Sequence, residues 1–316
     1  MVTSVSRQPQ HDEVRRRYSE LISTLLAQGD AEAAAGCARL AVEQGIWRDP
    51  AQRPVHYLPS LDPIAVHDPR EFWFVEHLEQ SYSLIREEVG AVLETADHGF
   101  LPVEEPLLGD GDWKQVTFYE GGRRFDDACE RFPVTASLLE AIPEATVAGP
   151  GVATLSRLQP GTRIVPHCGA SNAKLRVHLG VHVPDGPRMR VGDRVLRWDE
   201  GRCLVFDDSF EHEVWHDGDT PRVVLLLDVW HPQVDVAVQR LITADRGSVA
   251  SRVREFMQAR GIVRAEDDGE RVLMEADEGV STLIRRHLRQ AGVSAVSLHD
   301  DETSAVPSGT VPADAG

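Results

Sequence analysis

His167 and His212 stand 45 positions apart, and Arg222 follows ten residues after the second histidine. Imidazole is a ligand for iron and for zinc, and an oxygen-activating iron also needs open coordination positions. An arginine fork close by matches a carboxylate at two points. By spacing alone, these residues predict an iron- or zinc-binding barrel with an anion beside the metal.

His167 lies two residues before Gly169, so the third member of a 2-His-1-carboxylate triad is missing at that place. Other His-x-Asp/Glu pairs occur at His11/Glu13, His77/Glu79 and His299/Asp301. The first is in the N-terminal arm, the second on an amphipathic helix and the third in an acidic tail; each reads as an exposed polar patch.

The run from Lys174 to Val183 alternates strictly. Side chains two apart share a strand face, which puts Lys174, Arg176, His178 and His182 on one side and Leu175, Val177, Leu179, Val181 and Val183 on the other. A solvated outer face is one reading of the cationic row. Two histidines within an otherwise apolar barrel sequence favour the other reading, a polar lumen that binds an anion. Arg222 opens the apolar run VVLLLDVW and needs an anionic partner, from the protein or from a ligand. His216 reads as a loop-rim residue, and His231 as a hydrogen-bonded structural histidine.

The elements that must position these residues follow from local pattern. Residues 11–46 predict two short helices broken at Gly29-Asp30, and residues 47–69 a loop. One helix is expected from about Pro69 to Glu94. From Trp113 onward, β-branched runs separated by turn residues predict eight strands: Gln115–Tyr119, Val152–Leu158, Lys174–Val183, Met189–Val191, Arg194–Trp198, Cys203–Phe206, His212–Trp215 and Val223–Trp230. Eight strands suggest a double-sheet jelly roll. The expected architecture is mainly β with flanking helices: a helical region over 1–98, a jelly roll over 99–232, a helical extension over 233–298 and a disordered acidic tail over 299–316. Helices are expected around Val234–Thr243, Val249–Gly261 and Val280–Gln290.

Bulk properties narrow the class further. The chain has 316 residues and a formal net charge of −18, without the basic face of a nucleic-acid binder. No apolar run approaches the roughly 20 residues of a membrane span. The N-terminus lacks the apolar core of a secretory signal, and four scattered cysteines fit a reducing compartment. A cytoplasmic protein without nucleic-acid or membrane partners is expected.

The stretches GDWKQVTFYEGGRR, LQPGTRIVPHCGASNAKLRVHLGV and FDDSFEHEVWHDGDTPRVVLLLDVWHP resemble the catalytic domain of the aspartyl/asparaginyl β-hydroxylases. The resemblance runs from Gly111 to Pro232 and more weakly back to Gly45. It implies a double-stranded β-helix that uses Fe(II), O2 and 2-oxoglutarate, with iron held by two histidines only and water in the place of the missing carboxylate. His167 and His212 match those ligands. Ser156, Arg176, His178 and Arg222 match the family's 2-oxoglutarate residues, and Lys174 and Asp208 are expected to meet the substrate. The two N-terminal helices look like a remnant of the family's helical-repeat region.

The chain departs from the animal members, which act on EGF-like domains in the secretory pathway. Their disulfide after the GRR motif cannot form, since Cys129 faces Ala136 in the second position. Leu108 and Thr154 stand where those members have basic substrate-binding residues, and Lys174 replaces an arginine. The implied reaction converts 2-oxoglutarate to succinate and CO2 while hydroxylating the β-carbon of an Asp- or Asn-like side chain, in a peptide, on a carrier or free. A natural-product pathway is one setting. The rival readings are hydroxylation of an unrelated acyl or lipid substrate, and a non-catalytic sensor of 2-oxoglutarate or metal.

Overall fold

The computed structural model describes residues 8–103, 107–235 and 239, and the backbone of three short strands further along. Two compact units divide the chain, Met1–Thr243 and Ala244–Gly316. In the first, helices α1 (Gln8–Ala27) and α2 (Ala31–Glu43) form the expected hairpin. Asp30 ends the break between them by capping α2, its carboxylate accepting the Ala33 N–H at 3.0 Å.

A loop then leads to β1 (Val66–His67), a 3-10 turn (Pro69–Glu71), α3 (Trp73–Gln80) and α4 (Tyr82–Leu93). The single helix expected over this stretch is therefore three pieces. Phe72 is extended, at φ −114° and ψ 114°, and the Ser81 N–H closes the end of α3 on the His77 carbonyl. The broken path lets Phe72, Phe74, Val75, Leu78, Ile85 and Val89 all reach the core.

Next come β2 (Leu101–Pro102), β3 (Leu108–Asp110), β4 (Trp113–Glu120), β5 (Arg123–Arg124), α5 (Asp126–Arg131) and α6 (Pro133–Glu140). The remaining strands of this unit are β6 (Val152–Leu158), β7 (Arg163–His167), β8 (Lys174–His182), β9 (Pro187–Val191), β10 (Arg194–Leu196), β11 (Cys203–Phe206), β12 (His212–His216) and β13 (Arg222–Trp230). All eight expected strands are present, with ends shifted by up to two residues. Strand β7, which carries His167, was not among them.

The strands form two antiparallel sheets, the jelly roll expected from sequence. The larger runs β1-β11-β8-β13-β6-β4-β2 with β5 beside β4, and the smaller runs β10-β9-β12-β7-β3. Between the sheets lie Leu158, Ile164, Met189, Val191, Trp198, Phe206, Phe210, Val214 and Val224. The opposite face of the larger sheet carries Leu175, Val177, Leu179, Val181, Leu225 and Leu227, which pack with the residues of α3 to α6. Both faces of that sheet are covered, so every residue of β13 is buried and its unbroken apolar run is explained.

The apolar side of β8 thus meets helices, while Ser156, His178 and Arg222 lie on the inter-sheet side with Trp198. His182 departs from the expected row. The register of β8 against β13 slips between Val223 and Val224, and such a bulge re-aims the side chains that follow it. His182 is consequently near α4: a Cβ added to Gly90 would lie 4.0 Å from its Nε2.

Cys129 is a buried free thiol, and no disulfide is present among the described cysteines. In the second unit, β14 (Ala265–Asp267), β15 (Val272–Met274) and β16 (Ser297–Leu298) form a three-stranded sheet, strands that were not expected in the helical extension and that lie outside its three expected helices. The three C-terminal helices and the acidic tail fall almost wholly outside the described residues. No helix among the described residues is long and apolar enough to cross a membrane.

Candidate active site

Pairing of β7 with β12 brings the two histidines together. His212 sits directly opposite His167 in the ladder, and their ring centroids are 4.1 Å apart. Each imidazole is oriented in the same way. His167 Nδ1 lies 2.8 Å from the Val165 carbonyl and His212 Nδ1 lies 2.9 Å from the Phe210 carbonyl. A carbonyl only accepts, so Nδ1 carries the proton on both rings and the Nε2 lone pair is the one available to a metal. Backbone bonds of this kind fix the tautomer of metal-binding histidines.

His212 is buried, and burial together with the neighbouring His167 pulls its pKa down to about 3. It is the neutral ligand that a metal requires. No group of three or more His, Cys, Asp or Glu side chains that could hold a metal occurs among the described residues. The donor set fits a two-histidine centre.

Gly169 has a steric reason as well as a chemical one. A Cβ at this position would lie 2.6 Å from Oδ1 of Asp208. The space that a side chain at position 169 would enter is occupied by a carboxylate from the turn before β12. That Oδ1 is buried and has no hydrogen-bond partner.

The expected anion site is assembled from β6, β8 and β13. Arg222 is 2% exposed. Its guanidinium carbon lies 4.6 Å from the Trp198 ring centre, and NH2 donates to Ser156 Oγ at 3.4 Å. Its Nε has no partner. Burial alone pulls its pKa down to about 9, which leaves it cationic at neutral pH.

Around it the polar atoms are donors. Ser156 Oγ accepts from Trp113 Nε1 at 3.0 Å as well as from Arg222, so its own proton remains to be donated. His178 Nδ1 accepts from Trp198 Nε1 at 3.1 Å, which puts the proton of the neutral ring on Nε2, a buried atom without a partner. Burial and then the Arg222 charge hold the His178 pKa well below its ordinary value, so the ring is neutral. A guanidinium, a hydroxyl and an imidazole N–H offered together select an anion.

Lys174 and Arg176 are on the same strand but have protein partners. Lys174 Nζ lies 2.7 Å from Asp208 Oδ2 and 3.1 Å from Asp228 Oδ1. Arg176 lies 2.9 Å from Asp228 Oδ1 and 3.2 Å from Asp208 Oδ2. Two cations face two carboxylates. Burial pushes the pKa of each aspartate up, but Lys174 and Arg176 overcome it and keep both ionised. Lys174 and Asp208, expected together as substrate contacts, are bonded to one another.

Other expectations meet the structure more simply. Thr154 is buried and donates to the Val116 carbonyl at 2.7 Å. His77 bonds to the Leu138 carbonyl at 3.2 Å, and Glu13 pairs with Arg16 and Arg17, so neither of those two His-x-Glu pairs forms a ligand set. His216 is fully buried rather than at a loop rim, closing the turn after β12 through Thr220 O and Gly218 N. His231 is hydrogen-bonded as expected, to the Gln233 N–H. Trp113, Trp198 and Asp228 complete the site without having been singled out; the one signal for them was aromatic or acidic residues within or beside predicted strands.

Residues 79–232 match the family model described as aspartyl/asparaginyl beta-hydroxylase. This segment belongs to that family. The human aspartyl/asparaginyl beta-hydroxylase is 40% identical over 197 residues, 61% of this chain and 26% of that protein. Aspartate beta-hydroxylase domain-containing protein 2 of Rattus norvegicus is 36% identical over 202 residues, 60% of this chain and 58% of that protein. The chain therefore spans between a quarter and three fifths of these relatives. A 2OG-Fe(II) oxygenase-family oxidoreductase from Burkholderia pseudomallei overlays on 52% of this chain at 14% identity with a TM-score of 0.34, too loose a likeness to bear on the site. The family match begins well before Gly111, from which the motifs are plainest in the sequence.

Proposed function

We propose that this protein is an Fe(II)/2-oxoglutarate-dependent hydroxylase that acts on the β-carbon of an aspartyl or asparaginyl residue in a peptide. The observation that carries this reading is Arg222, a buried guanidinium without a carboxylate partner among the described residues, set on the same fold as two histidines with matched tautomers. Family membership of residues 79–232 supports it.

In this reading His167 and His212 hold Fe(II) through Nε2. Arg222, the Ser156 hydroxyl and His178 Nε2–H would together take a carboxylate of 2-oxoglutarate, with Arg176 on the same strand as His178 beside them. When bound, the iron, with O2 and 2-oxoglutarate, supplies the oxidant that replaces a C–H bond by C–OH. The chain's part is to orient and to exclude water. Trp113 and Trp198 hold Ser156 and His178 by their indole N–H groups, and Trp198 covers the face of Arg222.

The name of the human relative speaks of aspartyl and asparaginyl groups, which are residues in amide linkage; on that ground we infer a peptide rather than a free or carrier-bound substrate. Since Lys174 and Arg176 are matched by Asp208 and Asp228, we infer that substrate meets this row as a hydrogen-bonding surface of balanced charge. Calorimetric titration of the Mn(II)-loaded protein with 2-oxoglutarate tests the reading: saturable binding supports it, and no binding in the presence of metal overturns it.

A further inference from the structure

Residues 51–58 precede the family-matched segment, yet they contact the turns that flank both histidines. On one side, Glu211 N–H donates to the Ala51 carbonyl at 2.7 Å and Arg53 N–H donates to the Ser209 carbonyl at 3.0 Å. Gln52 is 1% exposed and donates from Nε2 to Asp207 Oδ2 at 2.8 Å and to Ser209 Oγ at 3.2 Å. Arg53 reaches Glu211 at 2.5 Å, the residue next to His212.

On the other side, His56 N–H donates to the Ala170 carbonyl at 2.8 Å. Asn172, also 1% exposed, accepts the Leu58 N–H at 2.8 Å and donates to the Leu58 carbonyl at 2.9 Å. The strap is in turn held by the first two helices and the loop after them. Trp47 Nε1 donates to the Pro54 carbonyl at 2.9 Å, and Arg15 lies over the Tyr57 ring at 5.2 Å.

We propose that Ala51–Leu58 is a positioning element of the metal centre, with Gln52 and Arg53 as its working residues, tying the turn after His167 to the turn before His212. Pairing of β7 and β12 joins the two histidines along the ladder, the Gly169 N–H donates to the Asp208 carbonyl between the two turns, and the Gly192 N–H donates to the Glu211 carbonyl. The strap adds bonds to both turns from outside the ladder, as polar groups outside the ligand set commonly do for metal-binding histidines. The α1–α2 hairpin then has a purpose for the site: it anchors the strap. This inference rests on the iron reading above.

The test uses the full chain with Gln52→Leu and Arg53→Met, each titrated with Mn(II), alongside amide hydrogen exchange without metal. Both variants are expected to bind Mn(II) about 10- to 100-fold more weakly. Exchange is expected to quicken in 168–172 and 207–211 while the strands of the larger sheet keep their protection. Arg53→Lys should recover part of the affinity by restoring the second cation on Glu211, beside Arg190. If Gln52→Leu does not fold, Arg53→Met decides. Mn(II) affinity within twofold of the parent, with unchanged exchange in both turns, overturns the inference. A parent that takes up no Mn(II) overturns the iron reading and the inference with it, so the two failures are told apart.

Discussion

The guanidinium carbon of Arg222 lies 4.6 Å from the ring centre of Trp198, and the ring covers a face of a cation that has no carboxylate to pair with among the described residues. An uncompensated buried charge is costly. In the proposed reading, a carboxylate of 2-oxoglutarate compensates it.

Arg222→Met should therefore separate stability from binding. The unliganded variant is expected to be at least as stable as the parent, while 2-oxoglutarate affinity falls by roughly 2–5 kcal/mol. Arg222→Lys should recover little, because a point charge cannot reproduce the fork. Thermal melts with and without 2-oxoglutarate check this. A ligand-induced shift as large in Arg222→Met as in the parent would count against the assignment.

Much of this site could be read from the sequence, and the reasons for the misses are physical. The alternation of β8 exposes both its helix-facing and its polar side, because every position keeps period two until the bulge. Nothing local in the sequence marks the slip that turns His182 away. Strand β7 is short and contains Pro166, which removes a ladder donor and weakens any strand reading; its place is secured by β12 and β3. The partners of Lys174 and Arg176, Asp208 and Asp228, lie 32 to 54 positions along the chain. Their pairing appears only once β8 lies beside β13 and the turn before β12 folds back.

Gly169 offers a second prediction. Restoring a carboxylate by Gly169→Asp should not create a third ligand, because its Cβ would meet Asp208 at 2.6 Å. Turnover and Mn(II) affinity are both expected to fall, and Gly169→Ala should share the defect. An active Gly169→Asp protein with tighter metal binding would show that the space is larger than the Asp208 carboxylate allows.

The ion quartet separates two roles for Lys174. As a counter-charge to Asp208 and Asp228 it stabilises the fold, and Lys174→Met should cost roughly 3 kcal/mol by leaving buried charge poorly matched. Lys174→Arg should keep both stability and turnover. Urea unfolding paired with substrate KM makes the distinction. Full stability in Lys174→Met with a raised KM alone would identify Lys174 as a direct substrate contact.

Asp207 predicts a pH dependence. Burial pushes its pKa up to about 7 from an ordinary 3.8. The folded chain then keeps a proton that the unfolded chain has lost, so this group's contribution to stability declines as pH rises from about 4 to about 7. Asp207→Asn should remove that decline. Urea midpoints of parent and variant at about pH 5 and about pH 8 reveal it; parallel changes in the two proteins would exclude Asp207 as the source.

In the proposed reading His167 and His212 hold an iron that couples 2-oxoglutarate to hydroxylation. Its most direct test is succinate formation from 2-oxoglutarate, with Fe(II), O2 and a short Asp-containing peptide, by the parent and by His212→Ala. The parent should give iron-dependent succinate and a peptide heavier by one oxygen, and the variant neither. Equal succinate from His212→Ala, or none from a parent shown to bind both metal and 2-oxoglutarate, would contradict it.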